Sequence, residues 1–177
     1  MKTQDREVIF STGKDDWGTP KLLFDKLHYE FNFCVDVCAE SDNALLDQYV
    51  DEYHDALKGN WGDYCTRVHA ASRYYIHSFF MNPPYSNVAA FIERMAKESI
   101  DNKHNRYVAL VASRTDTKWF HEWVLPFASE IRFIKGRLTF AGAESTAPFP
   151  SLIVVYNTAT SSKVDGYGPK ITSWSPR

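Results

Sequence analysis

Phe79-Phe80-Met81-Asn82-Pro83-Pro84-Tyr85-Ser86 is an apolar run that stops at two adjacent prolines and an aromatic residue. Val/Phe/Met-rich runs of this length, bounded by proline, read as a buried strand, here over 74–81. The prolines carry no backbone N–H, so the chain beyond Met81 cannot continue the ladder and turns stiffly. That turn is rich in acceptors. The Asn82 side-chain oxygen and the Pro83 carbonyl can converge on one NH₂ group, and Tyr85 can stack on the ring that bears it. Accepting both hydrogens of a planar amine draws its nitrogen toward a tetrahedral geometry and frees the lone pair for a methyl donor. Exocyclic base amines and planar amides present the same NH₂. An Asn-Pro-Pro-aromatic run arises by chance at roughly one position in 10⁵, so a mere strand-closing turn is a poor account of it in one short chain.

Working outward, Thr19-Pro20 reads as a helix start, with Thr19 as N-cap and Pro20 in the first turn, and the helix runs over 21–29 with Leu23, Phe24 and Leu27 inward. Residues 31–37 alternate Phe31, Phe33, Val35 and Val37 against Asn32, Cys34 and Asp36, a strand pattern. A short helix is expected over 43–49 and an irregular insertion over 64–73. Val88, Phe91, Ile92, Met95 and Ser99 repeat at i, i+3, i+4, i+7 and mark a helix. A buried strand over 107–112, a helix around Trp119, Phe120, Trp123 and Val124, and two closing strands over 131–140 and 152–156 follow. The Ser/Thr/Gly/Pro-rich stretch 158–177 reads as a flexible tail, and residues 1–15 as a second tail, leaving one domain over 16–157.

Alternating strands and helices imply an α/β sheet, mostly parallel, with a ligand crevice at the carboxyl ends of the strands. Polar segments fall at three such ends: 36–40, 82–86 and 113–117. One crevice can gather all three.

Trp17-Gly18-Thr19-Pro20, Asp36-Val37-Cys38-Ala39, Asn43-Ala44, Asp55-Ala56-Leu57 with Trp61, Asn82-Pro83-Pro84-Tyr85-Ser86, Arg114-Thr115-Asp116-Thr117 and Gly136-Arg137-Leu138-Thr139-Phe140 occur in that order. Together they resemble the phage-type DNA N6-adenine methyltransferases over about residues 16–156. The resemblance implies a Rossmann-like methyltransferase sheet with a reversed C-terminal hairpin, S-adenosylmethionine as cofactor, and double-stranded DNA as partner. It further implies a target adenine flipped out of the duplex and held by Tyr85. By the same resemblance Asn82, Pro83, Pro84 and Tyr85 form the catalytic turn. Trp17, Thr19, Pro20, Asp36, Cys38, Ala39 and Asp55 would surround the cofactor, with Asp36 on its α-amino group and Asp55 on its ribose or adenine. The loop after the first strand lacks the Gly-x-Gly common in methyltransferases. Glutamine-methylating and RNA-methylating enzymes share the Asn-Pro-Pro-Tyr chemistry and are the rival readings, as is a methyltransferase fold kept only to bind DNA.

The chain has 177 residues, 20 Lys plus Arg, 22 Asp plus Glu and a net charge of −2, so no global positive field draws in a polyanion. DNA must then meet a local surface. Candidates are Arg114, Thr115 and Lys118 after the third strand, Arg132, Lys135 and Arg137 in the closing hairpin, and Arg67, His69 and Arg73 in the insertion. The loop over 141–150 is long enough to enter a groove. Three cysteines, Cys34, Cys38 and Cys65, with no C-x-x-C pair and no matching His spacing, point away from a disulfide framework or zinc site and toward a reducing cytoplasm, that of the bacterial host for a phage-encoded chain. No apolar stretch has transmembrane length. The expectation is a monomer or weak dimer without metal.

Overall fold

The computed structural model describes residues 17–65, 76–157 and 168–176. Helix α1 spans Lys21–Phe31 and buries Leu23, Phe24, Leu27 and Phe31 on one stripe. It ends where Asn32 turns left-handed at φ 51° and donates its N–H to the His28 carbonyl at 2.7 Å, a role Asn tolerates better than most residues. Its start differs from expectation. Thr19 is buried and makes no capping bond; Pro20 is the boundary residue, and its carbonyl accepts from Phe24 at 3.0 Å.

The six strands are β1 (Val35–Asp36), β2 (Ser78–Met81), β3 (Arg106–Ala112), β4 (Glu130–Ile134), β5 (Ser151–Tyr156) and β6 (Lys170–Trp174). They lie in the order β1-β2-β3-β5-β4-β6. The β1–β2, β2–β3 and β4–β6 pairs are parallel, and β5 runs antiparallel to both its neighbours, β3 and β4. The fold is therefore mixed α/β, mostly parallel, with the expected reversed strand inserted between β3 and β4. Successive side chains of β2, β3 and β5 point to opposite faces, and both faces are covered. Phe79, Met81, Tyr107, Ala109, Val111, Leu152 and Val154 pack with helix α2 (Val88–Asp101) and the one-turn helix Phe120–Val124. Phe80, Val108, Leu110, Ile153 and Val155 pack with α1 and with Leu138, Phe140 and Phe149. Among the described residues no helix is long and apolar enough to cross a membrane.

Three local expectations change. The segment after Phe31 does not alternate: residues 33–37 are all buried, because Phe33 packs against Phe24 and Phe80 while Cys34, Val35 and Val37 belong to the other core cluster, and β2 and residues 48–50 flank β1 on its two edges. Asp36 donates its N–H to Gln48 and accepts from Val50, so the helix expected over 43–49 is replaced by bends that end in an extended bridge at Tyr49. The stretch read as a tail contributes β6, whose backbone pairs with β4 from Glu130 to Ile134.

Arg132 is also corrected. Expected on a DNA-facing stripe, it is buried, stacks 5.2 Å over Phe31, and grips Glu30 with both Nη atoms at 2.6 Å while Nη2 also reaches Glu130 at 2.9 Å. Glu130 accepts from Thr172 at 3.1 Å, so one guanidinium ties α1, β4 and β6 together. Removing one partner of such a pair strands the other carboxylates. Arg132→Met is expected to lower unfolding free energy by about 2–3 kcal/mol, less than for a fully buried pair because Glu30 still meets solvent. Chemical denaturation measures this, and an unchanged midpoint would refute it.

Candidate active site

Parallel strands bring their carboxyl ends to one edge of the sheet. There Asp36 closes β1, Asn82 follows β2, Ser113 follows β3 and Lys135 follows β4. A crevice of about 670 Å³ opens at this edge, within the range of small-molecule sites. Its walls are Trp17 to Thr19, Asp36 to Glu40 with Asn43 and Leu45, Val50 to Glu52, Asp55 to Leu57, and Asn82 to Pro84 with Asn87 and Phe91. The three segments singled out by sequence thus share an edge, and two of them share the crevice.

Beyond Met81 the prolines cannot extend the sheet; Asn87 donates to the Pro84 carbonyl at 3.1 Å and α2 begins at the next residue. This turn faces residues 17–19. The Asn82 Nδ2 group donates to the Trp17 carbonyl, an acceptor only, so the amide must place its oxygen the other way. That oxygen is buried and has no partner among the described residues. It is an unused acceptor beside the crevice, held in place by its own amide nitrogen. Residues 17–19 are secured in turn. Ala141 donates to the Gly18 carbonyl at 2.7 Å, and a Cβ on residue 18 would meet the Ala141 Cβ at 3.1 Å, so the close approach favours glycine.

Tyr85 is on the same turn but off the crevice wall. It packs edge-on against Phe149 at 5.3 Å and Phe140 at 6.3 Å, and Trp17 meets the same two rings at 5.5 and 5.3 Å. Its hydroxyl is buried without a partner among the described residues, and burial pushes its pKa up. Pro20 likewise is not on the wall.

Asp36 is 3% exposed. Burial pushes its carboxyl from the ordinary 3.8 up to about 7, against the opposite pull of N–H groups of Leu45 and Cys38. Leu45 N–H donates to Oδ2 at 3.3 Å. Burial and the charge of Asp36 also push the Cys38 thiol well up, which favours its neutral form. Asp55 sits at φ 49°, its Oδ1 accepting from Leu57 at 3.1 Å; the Lys58 ammonium, 2.8 Å from Oδ2, holds its carboxyl below the usual range. The Asp-Ala-Leu segment is shaped by the buried Trp61, which donates to the Ala56 carbonyl at 2.7 Å. Arg94, paired with Glu98, adds donors to the Leu57 and Gly59 carbonyls at 3.2 and 2.7 Å.

Sequence reasoning marked Glu40 only as the end of the polar segment 36–40 and missed Asp51 and Glu52, which with Glu40, Asp36 and Asp55 make the crevice strongly acidic, and it missed the bracing by Arg94. Asn87 and Phe91 were legible in principle, since i, i+4 spacing puts both on one face of the first turn after the Asn-Pro-Pro-Tyr motif. Of the DNA candidates, Thr115, Lys118, Lys135 and Arg137 are exposed and Arg114 is half-buried. Arg67, His69 and Arg73 lie outside the described residues.

The profile of the DNA N-6-adenine-methyltransferase (Dam) family matches residues 8–163. The chain belongs to this family. It is 31% identical over 137 residues to a protein of Haemophilus phage HP1 named DNA N-6-adenine-methyltransferase, covering 75% of this chain and 69% of that relative. The Asn82 turn, the acidic crevice and the braced Asp55 segment are thus features of a Dam-family chain, and the resemblance inferred from the ordered motifs holds.

Because the folded state raises the Asp36 pKa, the protonated carboxyl is favoured in the fold. As pH climbs from about 4 to 7, the unfolded chain releases this proton first and stability falls; above about 7 the full cost, on the order of a few kcal/mol, is present. Asp36→Asn should therefore melt higher than the parent at pH 8, with the difference shrinking toward pH 4.5. Calorimetry across that range checks it, and a constant difference would show that Asp36 is not the titrating group.

Proposed function

We propose that this protein transfers a methyl group from S-adenosylmethionine to the N6 amine of an adenine turned out of double-stranded DNA, on a Rossmann-like methyltransferase sheet. The observation that carries the reading is the buried, unpartnered Asn82 oxygen, aimed by the bond from its own Nδ2 to Trp17. An amide so tethered offers its oxygen as an acceptor to an N–H and cannot flip away. With the Pro83 carbonyl as second acceptor, it stabilises the positive charge that develops on an amine as it is alkylated. Orientation and electrostatics are the whole contribution the turn needs to make.

The crevice suits the cofactor. S-adenosylmethionine, when bound, supplies an electrophilic methyl group on a positively charged sulfur. Five carboxylates line the cavity and favour a ligand of net positive charge. Asp36, half-protonated near neutrality, becomes a full carboxylate when an ammonium group lies against it, so binding releases a proton. The Asp55 carboxylate is already ionised and accepts hydroxyl or amine hydrogens. Tyr85 contributes its ring by stacking, worth roughly 1–3 kcal/mol for a base on an aromatic face. Arg114 and Lys118 follow β3, and Lys135 and Arg137 follow β4, on the segments that leave the same sheet edge, and these residues would form the rim that meets phosphates.

Labelled methyl groups offered to DNA, RNA and protein pools should appear in DNA, and in N6-methyladenine after digestion. Asn82→Ala should lose about 10²–10³-fold in turnover and keep its affinity for S-adenosylmethionine. Label recovered in protein, or a fully active Asn82→Ala, would sink the proposal.

The rim predicts a salt signature. Log K for duplex DNA should fall with log salt at about −0.9 per phosphate neutralised, for about three to four contacts in all. Arg137→Ala should remove about one contact from the slope, whereas Arg132→Met, buried in its carboxylate pair, should leave it unchanged. Equal slopes for the parent and Arg137→Ala would remove the hairpin from the interface.

A further inference from the structure

The upstream ends of β1 and β2, away from the crevice, carry a second cluster. Cys34 precedes β1, His77 precedes β2, and Cys65 ends the segment that begins at the crevice wall. Their ligand atoms all lie within 4.8 Å of one another. We propose that Cys34, Cys65 and His77 form a zinc site that staples the starts of β1 and β2 to the segment walling the crevice.

Tetrahedral zinc with sulfur at about 2.3 Å and nitrogen at about 2.0 Å holds such atoms roughly 3.3–3.8 Å apart, so the cluster needs to close by only about 1 Å. Side-chain rotation supplies that, because the backbones are already set. Cys34 donates to the Ser78 carbonyl at 2.8 Å; Cys65 donates to Gly62 at 3.2 Å. The His77 N–H donates to Asn105 Oδ1 at 3.3 Å, and its carbonyl accepts from Arg106 at 2.8 Å. Loop closure across more than forty residues is therefore made by the fold before any metal arrives, and the ligands do not have to be gathered.

The donor set selects the ion. Two thiolates and an imidazole suit zinc and do not suit magnesium or calcium. Cys34 and Cys65 belong to the apolar cluster with Trp61, Phe79 and Tyr107, where a net charge is costly. Two thiols that give up their protons to solvent on ligation balance one Zn²⁺, so the loaded centre is neutral. Three protein ligands leave a fourth position for water. The sequence spacing hid this set because the residues come from three separate segments and the cysteine pair is not local.

The test uses untagged full-length protein, purified reduced and without chelator, and needs neither cofactor nor DNA, so it stands or falls apart from the methyl-transfer reading. Elemental analysis should find about one zinc per chain. Stripped protein titrated with cobalt(II) should develop a thiolate-to-cobalt charge-transfer band and the strong visible bands of a tetrahedral centre. Zinc should raise the melting temperature of stripped protein by about 5 °C or more. Cys65→Ser and His77→Ala should lose the band and the shift, and Cys38→Ser should keep both. If those variants fail to fold, the cobalt titration of the parent decides alone. Folded, reduced parent protein that gives no such band, or a Cys34–Cys65 disulfide found by mass spectrometry in its place, would overturn the site.

Discussion

The bond from the Asn82 amide nitrogen to the Trp17 carbonyl is the constraint around which the site is built. It joins residues 65 positions apart and gives a symmetric-looking amide one direction. For it to form, the chain before α1 must lie against the turn after β2. That requires the Gly18–Ala141 bridge, and the bridge in turn requires the 138–149 loop to fold back over the sheet. Phe140 and Phe149 complete this loop's contact with Trp17 and Tyr85. A distant hairpin therefore controls the orientation of one side-chain oxygen.

Charge is sorted across the same edge of the sheet. Acidic groups line the cavity, while Lys118, Lys135 and Arg137, on the segments that follow β3 and β4, are exposed, and the molecule as a whole carries a net −2. On the proposed reading, a small cation and a large polyanion then meet different parts of one sheet edge without sharing contacts. The cost falls on Asp36, whose burial destabilises the fold wherever it is ionised. Such a cost is offset only when a cation is beside it, which links stability to ligand occupancy.

How much of this was legible follows from the range of each interaction. The Asn-Pro-Pro-Tyr turn and the amphipathic α2 are local patterns, and both stand where they were read. Thr19 looked like a cap because capping is judged from neighbours, yet it is buried on the crevice wall beside Gly18, whose carbonyl accepts from the distant Ala141. Arg132 alternates with other basic residues and looked exposed; Glu30, 102 positions away, buries it. Lys170–Trp174 reads as tail because edge strands need only one partner and little hydrophobicity, so composition does not reveal them. The segment from Asp36 to Glu40 was marked by its place at a strand end and does line the crevice, while Asp51 and Glu52 were not marked, because nothing local marks a carboxylate that faces a cavity rather than solvent.

Two oxygens without partners give the last step. Asn82 Oδ1 and the Tyr85 hydroxyl are both buried and unsatisfied among the described residues, and each such group costs about 1–3 kcal/mol. In a protein that only folded or only bound a DNA surface, apolar residues of similar shape at these two positions would be more stable. The Asn82 cost differs in kind from the Tyr85 cost. The Tyr85 ring packs against Phe140 and Phe149 as a Phe ring would, so its hydroxyl is dispensable to that packing and to the stacking proposed for it. The Asn82 oxygen has no substitute among its neighbours, because the nitrogen on the same amide is already bound. An acceptor kept dry, directed and unfilled next to an acidic cavity matches the need of one incoming N–H donor, and it is this match, more than the proline turn itself, on which the proposed chemistry on an amine rests.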